Sequence, residues 1–207
     1  MRSVHVDDED ALPAAAAALR AGEVIVVPTD TVYGLAALPG DAEAARRIYL
    51  AKHRPAHLHL PVLAASLDQV RGLGVDVSHA AATLADRWWP GPLTMVFGLP
   101  ASAARPSWLD GREEVALRIP QHAFLLALMR LTGVLLVTSA NRHGAHTPPS
   151  AGEAASQLAP HVGLVVDAGT LDEAPSTLVN VRSNVAVVER EGSITREAIA
   201  ATLARSA

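Results

Sequence analysis

The side chains of this chain best suited to gripping a small polar ligand are Thr29, Asp30, Thr31 and Tyr33, together with Thr138, Ser139 and Asn141. Each set follows a wholly apolar run: Val24-Ile25-Val26-Val27 before Pro28, and Val134-Leu135-Leu136-Val137. Such runs suit strands covered on both faces, and in open α/β sheets ligands gather at the carboxyl ends of those strands. The two polar ends therefore predict one pocket built from both. A strand-end turn whose hydroxyls satisfy only local backbone is the alternative for either segment alone.

Charge adds a second candidate constellation. Lys52-His53-Arg54, with His57 and His59 beyond, concentrates positive charge after a helical pattern. Solvated helix-end cations are the commonest account of such a cluster; the functional alternative is an anion clamp, because Arg presents a fork matched to phosphate oxygens. The cluster holds no acidic residue, which disfavours a metal site there. Arg118 stands in the apolar run Val115-Ala116-Leu117-Arg118-Ile119, where burial demands a carboxylate or phosphate partner, supplied either internally or by a ligand. Ser139 with His143 invites a serine-hydrolase reading, but no Gly-x-Ser-x-Gly elbow is present. No Gly-x-Gly-x-x-Gly or Gly-Lys-Ser/Thr loop occurs either, so a bound nucleotide needs another cradle.

Composition narrows the classes. The chain of 207 residues has no cysteine, which removes disulfides, thiolate metal sites and cysteine nucleophiles. Its formal charge of −4 argues against binding nucleic acid by bulk electrostatics, leaving a local basic groove. No apolar stretch is long enough for a bilayer, and the start lacks a signal-peptide pattern; a soluble, cytoplasmic protein without a membrane partner is expected.

The elements that must position these residues follow from periodicity and caps. Helices are expected over Ala11–Ala21, Ala42–Lys52 (capped by Asp41), Leu67–Leu73, Ser78–Trp89, Gln121–Leu131 and Ser150–Leu158, with a last one from Ser193 or Thr195 to about Ala204. Strands are expected over Glu23–Pro28, Leu60–Ala64, Leu93–Leu99, Val115–Ile119, Val134–Val137 and Leu164–Asp167. A further pair, Thr177–Val181 and Val185–Glu189, turns at Ser183-Asn184. Trp88 and Trp89 read as core anchors on a rigid turn. Some strands follow one another without a helix, so the expectation is one α/β domain, residues 1–207, on a twisted, mixed, open sheet with flanking helices.

In order along the chain, Pro28-Thr29-Asp30-Thr31-Val32-Tyr33-Gly34-Leu35, Lys52-x-Arg54-Pro55, Trp89-Pro90-Gly91-Pro92-Leu93-Thr94, Val115 to Pro120 with His122, Ser139-Ala140-Asn141, Pro175-Ser176-Thr177 and Arg190-x-Gly192 resemble the YrdC/Sua5 family of threonylcarbamoyl-adenylate synthases. The resemblance covers nearly the whole chain and is to the short, single-domain form. It implies an enzyme that joins L-threonine, bicarbonate and ATP into threonylcarbamoyl-AMP with release of pyrophosphate. The product then goes to a transferase that modifies adenosine 37 of tRNA, to give t6A.

Carried onto this sequence, the resemblance assigns Thr31, Arg118, Ser139 and Ser176 to threonine or its carbamate. It assigns Lys52, Arg54, Asn141 and Arg190 to ATP, and it makes Lys52, Arg54 and Arg118 the residues on which turnover depends. Mg²⁺ would accompany the triphosphate, held by phosphate and water rather than by a protein cage. The chain departs from the family pattern at Leu58 and His59, at Glu114 where threonine is common, at Asn180 where aspartate is usual, and at Glu191. At Leu58 and His59 a polar contact to ATP is either missing or replaced by His57 or His59. Two other functions stay open at this point: a non-catalytic RNA-binding or ribosome-maturation module with weak or transient tRNA contact, and carbamoyl-adenylate chemistry on another acceptor.

Overall fold

Alanine-rich segments and small-residue caps set most of the helices. In a computed structural model of the chain, describing residues 1–183 and 185–205, the first elements are β1 (Arg2–His5), α1 (Ala11–Arg20), β2 (Ile25–Val27), β3 (Gly34–Ala37) and α2 (Ala42–Lys52). β4 (Val62–Leu63), α3 (Leu67–Arg71), α4 (His79–Trp88), β5 (Leu93–Gly98) and β6 (Glu114–Arg118) follow. The chain continues through α5 (Ala123–Thr132), β7 (Leu135–Ser139), α6 (Ala151–Leu158), β8 (Leu164–Asp167), β9 (Thr177–Asn180), β10 (Val187–Arg190) and α7 (Arg196–Ala204). The side chains of Asp41, Ser66, Ser78, Ser150 and Thr195 each accept a backbone N–H from the third residue beyond, closing the starts of α2, α3, α4, α6 and α7. Between the two expected caps of the last helix, the structure selects Thr195.

The strands form one ten-stranded mixed sheet in the order β1-β8-β2-β3-β7-β4-β6-β5-β9-β10. β1 and β2 flank β8 in parallel, β3 pairs antiparallel with β2, and β7 pairs antiparallel with β3. β1 and β3 are absent from the expected set. β1 is a largely exposed edge strand, and β3 is a short Gly-Leu-Ala-Ala segment without β-branched residues, so both are made by pairing rather than by propensity. Leu60–Ala64 contracts to the two residues of β4. The expected turn at Ser183-Asn184 includes Asn184, which lies outside the described residues.

Alternation along the strands sorts side chains onto two faces. Val24, Val26, Leu35 and Leu136 join a core with α2, α4, α6 and α7, while Ile25, Val27, Ala36 and Val137 join a second core with α1 and α5. Among the described residues, the buried strand residues of the second core come from β2, β3, β4, β7 and β8, with Val4 of β1 packed against them, and none comes from β5 or β6. On β5, Leu93, Met95 and Phe97 enter the first core; on β6, Val115 and Leu117 do so. Their alternate neighbours Thr94, Val96, Ala116 and Arg118 line a cavity instead. The cavity is thus the sheet face that α1 and α5 leave uncovered.

Candidate active site

A cavity of about 680 Å³ lies over this open face. It is bordered by Thr29, Thr31, Arg54, His57, His59, Thr94, Glu114, Arg118, Ser139 and Asn141, and also by Ser176, Glu189 and Arg190. Three sequence-distant polar segments therefore meet at one place. The junction of the first two is direct, because Gly34 pairs with Ser139 across β3 and β7. A Cβ on Gly34 would sit 2.6 Å from Val137 Cγ1, so only glycine permits this approach without displacement.

The Thr29–Thr31 turn is internally bonded. Thr29 Oγ1 accepts the amides of Thr31 and Val32 at 3.1 and 3.2 Å and donates to the Val32 carbonyl at 2.6 Å. Thr29 therefore builds the turn, and Thr31 Oγ1 is directed toward Arg118, whose Nη1 donates to it at 3.2 Å. Arg118, only 5% exposed, also donates to the Gly91 carbonyl at 3.0 Å and to Asp30 Oδ1 at 2.6 Å. The bond to Gly91 explains the rigid Trp89-Pro90-Gly91-Pro92 turn, whose carbonyl becomes an arginine ligand.

Burial pushes the Arg118 proton affinity down and the Asp30 carboxylate opposes that shift. The protein thus supplies internally the anionic partner that burial of Arg118 demands, and Asp30 is that partner. Asp30 Oδ2 is buried without a hydrogen-bond partner among the described residues. Nearby, Thr94 Oγ1 and Ser176 Oγ share a hydrogen bond of 2.8 Å. Thr94 is a cavity residue that the sequence reading did not single out, although strand alternation could have found it.

Arg190 reaches the cavity because of a register shift. Adjacent strand residues normally face opposite sides, yet both Glu189 and Arg190 line the cavity, and the pairing of β10 on β9 slips between Val188 and Arg190. Arg190 donates to the Ser176 carbonyl at 2.8 Å. Gly192 follows because a Cβ there would collide with the Pro175 carbonyl oxygen. Glu114 is ion-paired with Arg182 at 2.5 Å, and Asn180 donates to Glu189 at 2.7 Å while accepting from the Arg182 amide. Two of the positions that depart from the family pattern, Glu114 and Asn180, thus share one network through Arg182, in which Arg182 balances Glu114 and Asn180 hydrogen-bonds Glu189.

At the cationic side, Arg54 donates to the carbonyls of Leu58 and His59 at 3.0 and 3.2 Å, folding the His57–His59 loop against the cavity. Burial lowers the pKa values of Arg54 and His59, so His59 favours its neutral form. Asn141 lines the cavity, but its amide is spent on the next loop. Nδ2 donates to the Arg142 and Ala145 carbonyls at 2.7 and 2.6 Å, and Oδ1 accepts from Thr147 at 3.1 Å. That loop carries His146 and Thr147 to the cavity wall, and the segment 171–175 brings Asp172 and Glu173. Neither segment had a sequence signal, because loops of small and polar residues carry no periodicity.

Two candidate side chains are committed elsewhere in the fold. Tyr33, a candidate ligand contact, borders the cavity, but its side chain is fully buried and its hydroxyl donates to the Gly169 carbonyl at 2.7 Å and accepts the Ala168 amide at 2.9 Å. It pins the loop after β8, and burial raises its pKa to about 12. Lys52, expected at the triphosphate, does not line the cavity. It is 1% exposed, and its Nζ donates to the Ser139 and Asn141 carbonyls at 2.5 Å each. Thr31, Arg54, Arg118, Ser139, Asn141, Ser176 and Arg190 do line the cavity. His143 is exposed and forms no dyad with Ser139.

An open mixed α/β sheet whose uncovered face holds hydroxyls beside guanidiniums offers the donors that a small polar molecule and an anion require. The chain belongs to the Sua5/YciO/YrdC family, described as "Telomere recombination", whose profile matches residues 17–192. A Bacillus subtilis (strain 168) protein named threonylcarbamoyl-AMP synthase is 38% identical over 191 residues, 91% of this chain and 55% of that protein. The chain therefore spans about half the length of that relative. A Mycobacterium tuberculosis (strain ATCC 25618 / H37Rv) relative is 35% identical over 91% of this chain and 87% of its own length. Among solved structures, P. abyssi Sua5 complexed with L-threonine matches with a TM-score of 0.85 at 33% identity, covering 98% of this chain and 60% of that one. E. coli YciO matches with a TM-score of 0.78 at 25% identity, covering 92% and 94%.

Proposed function

We propose that this chain makes threonylcarbamoyl-AMP from L-threonine, bicarbonate and ATP, releasing pyrophosphate. The observation that carries this reading is the convergence of the Thr31, Ser139, Ser176 and Arg118 side chains with Arg54 and Arg190 on one cavity. Its 680 Å³ falls in the usual range for small-molecule sites. Thr31, Arg118, Ser139 and Ser176 would hold threonine. Arg54 and Arg190, with the His57–His59 loop, would face the nucleotide, and Asn141 would shape the wall between them.

In this reaction the threonine amine adds to bicarbonate, water leaves, and a carbamate forms. A carbamate oxygen then attacks the α-phosphorus while the bond to pyrophosphate breaks. The protein contributes orientation and charge neutralisation, and no residue has to become covalently attached. Because Asp30 already balances Arg118, the arginine can orient a threonine carboxylate without a large net charge when the pocket is empty.

Among the described residues no group of three or more His, Cys, Asp or Glu could hold a metal ion. An ion carried in by the triphosphate would meet Asp172 and Glu173 among the carboxylates of the cavity lining. Mg²⁺ would then supply charge neutralisation at the phosphates. A transferase acting on tRNA would consume the product. No helix among the described residues is long and apolar enough to cross a membrane.

The test is pyrophosphate release with ATP, Mg²⁺, bicarbonate and L-threonine. Release should depend on threonine and fall strongly in Arg54→Ala. Arg142→Ala, an exposed side chain outside this cavity, should matter less. Release independent of threonine, or equal with other amino acids, would remove the assignment.

A further inference from the structure

We infer that Lys52 is a positioning residue and not a phosphate ligand: its buried ammonium holds the Ser139–Asn141 turn, and through that turn both substrate sides of the cavity. This inference rests on the synthase reading for the identity of the two ligands, but its structural basis is independent of it.

Lys52 is the last residue of α2, where a helix C-terminus favours a cation. The chain then reverses at His53, which adopts a left-handed conformation with φ of 51°, and the side chain of Lys52 turns inward. Nζ donates to the carbonyls of Ser139 and Asn141. The Lys52 carbonyl accepts the His143 amide at 2.8 Å, so the same residue grips the segment at both ends. Between these grips the Asn141 amide donates to the Ser139 carbonyl at 3.0 Å, and the Ala140 amide donates to the Tyr33 carbonyl at 2.8 Å.

The consequence extends past the turn. Ser139 projects from the end of β7 into the cavity, and Asn141 orders the Arg142–Thr147 loop that brings His146 and Thr147 to it. One ammonium thereby fixes a threonine-side hydroxyl and a nucleotide-side loop together. Desolvation, helped by Arg54, lowers the Lys52 pKa to about 8. Burial of the amine is costly, and its hydrogen bonds to the two carbonyls offset part of that cost.

A phosphate ligand and a positioning residue differ in what threonine feels. Calorimetric titrations of the chain with L-threonine alone and with ATP alone should show Lys52→Met weakening both ligands by about tenfold or more, with Arg54→Ala weakening ATP alone. Loss of ATP affinity in Lys52→Met with threonine affinity intact would overturn the inference. Amide hydrogen exchange of the ligand-free protein gives a second reading. Ala140, Asn141 and His143 should exchange about tenfold faster in Lys52→Met while β2 and β5 stay protected; unchanged exchange at these amides would overturn it.

If the wild-type chain binds neither threonine nor ATP, the synthase assignment falls, and hydrogen exchange still decides the role of Lys52. Should Lys52→Met fail to fold, the nitrogen resonance of Lys52 Nζ in the wild-type protein decides it. A shift that stays put on saturation with ATP supports the held ammonium, and a large displacement overturns it.

Discussion

The two halves of the sheet were built by different sequence patterns. β2 and β8 are continuous apolar runs, Ile25-Val26-Val27 and Leu164-Val165-Val166, and helices cover them on both faces. β5 and β6 alternate: Leu93, Met95, Phe97, Val115 and Leu117 are buried in the first core, whereas Thr94 and Arg118 face the cavity. A strand covered on both sides has nowhere to present a polar group except at its end, which is why Thr31 and Ser139 sit at or beyond strand ends. A strand with one uncovered face can present them along its length. The site is where these two modes meet.

Arg118→Ala should have the largest effect, because it strikes both modes. It removes the residue joining the Thr31 turn to β6 and leaves Asp30 buried without its cation. Turnover should fall about 10³-fold, with a stability loss of about 3–5 kcal/mol in urea denaturation. Adding Asp30→Asn should recover part of the stability and none of the activity. Equal recovery of both would show that Arg118 is only structural.

Leu19→Ala tests the covered half. Leu19 is fully buried in the second core, so the change should cost about 2–5 kcal/mol of stability. The specific activity of the folded fraction should stay within about twofold of wild type. A large loss of specific activity would mean that the two halves are mechanically coupled. Thr94→Val on the open half should do the reverse, removing the bond to Ser176 for about 1 kcal/mol while raising the KM for threonine several-fold.

Two buried groups give opposite pH signatures, and these form the smallest predicted effects. The folded pKa of Lys52 lies below its unfolded value, so the unfolded chain binds the extra proton between about pH 8 and 10.5. Stability relative to Lys52→Met should therefore rise with pH across that window and fall back as pH drops through 8. Tyr33 is the opposite case, with a folded pKa raised to about 12 from 10.0. Its contribution is complete below pH 10 and should be lost as pH climbs from 10 toward 12, a loss absent in Tyr33→Phe. Thermal melts of the three proteins between pH 7 and 11 check both signs.

Much of this molecule was legible from local rules. The capped helices, the two apolar strands with hydroxyl ends, Arg54 and Arg118, and the mixed α/β class all follow from residue type, spacing and the order of motifs. β1 and β3 were not legible, because neither has a strand composition and both exist through partners far away in the chain. The cavity was half legible: the alternation in β5 and β6 was visible, but which face lacked helices depended on where α1 and α5 packed.

By itself the sequence determined which side chains carry charge and hydroxyl, where strands and helices begin, and that Arg118 needs an acidic partner. Tertiary structure alone decided that Asp30 is that partner, that a register slip turns Arg190 toward the same cavity as Glu189, and that Tyr33 and Lys52 face inward. The physical reason is range. Propensity, capping and alternation act within a few residues, whereas a buried charge is settled by whichever backbone or side chain the fold brings within hydrogen-bond distance.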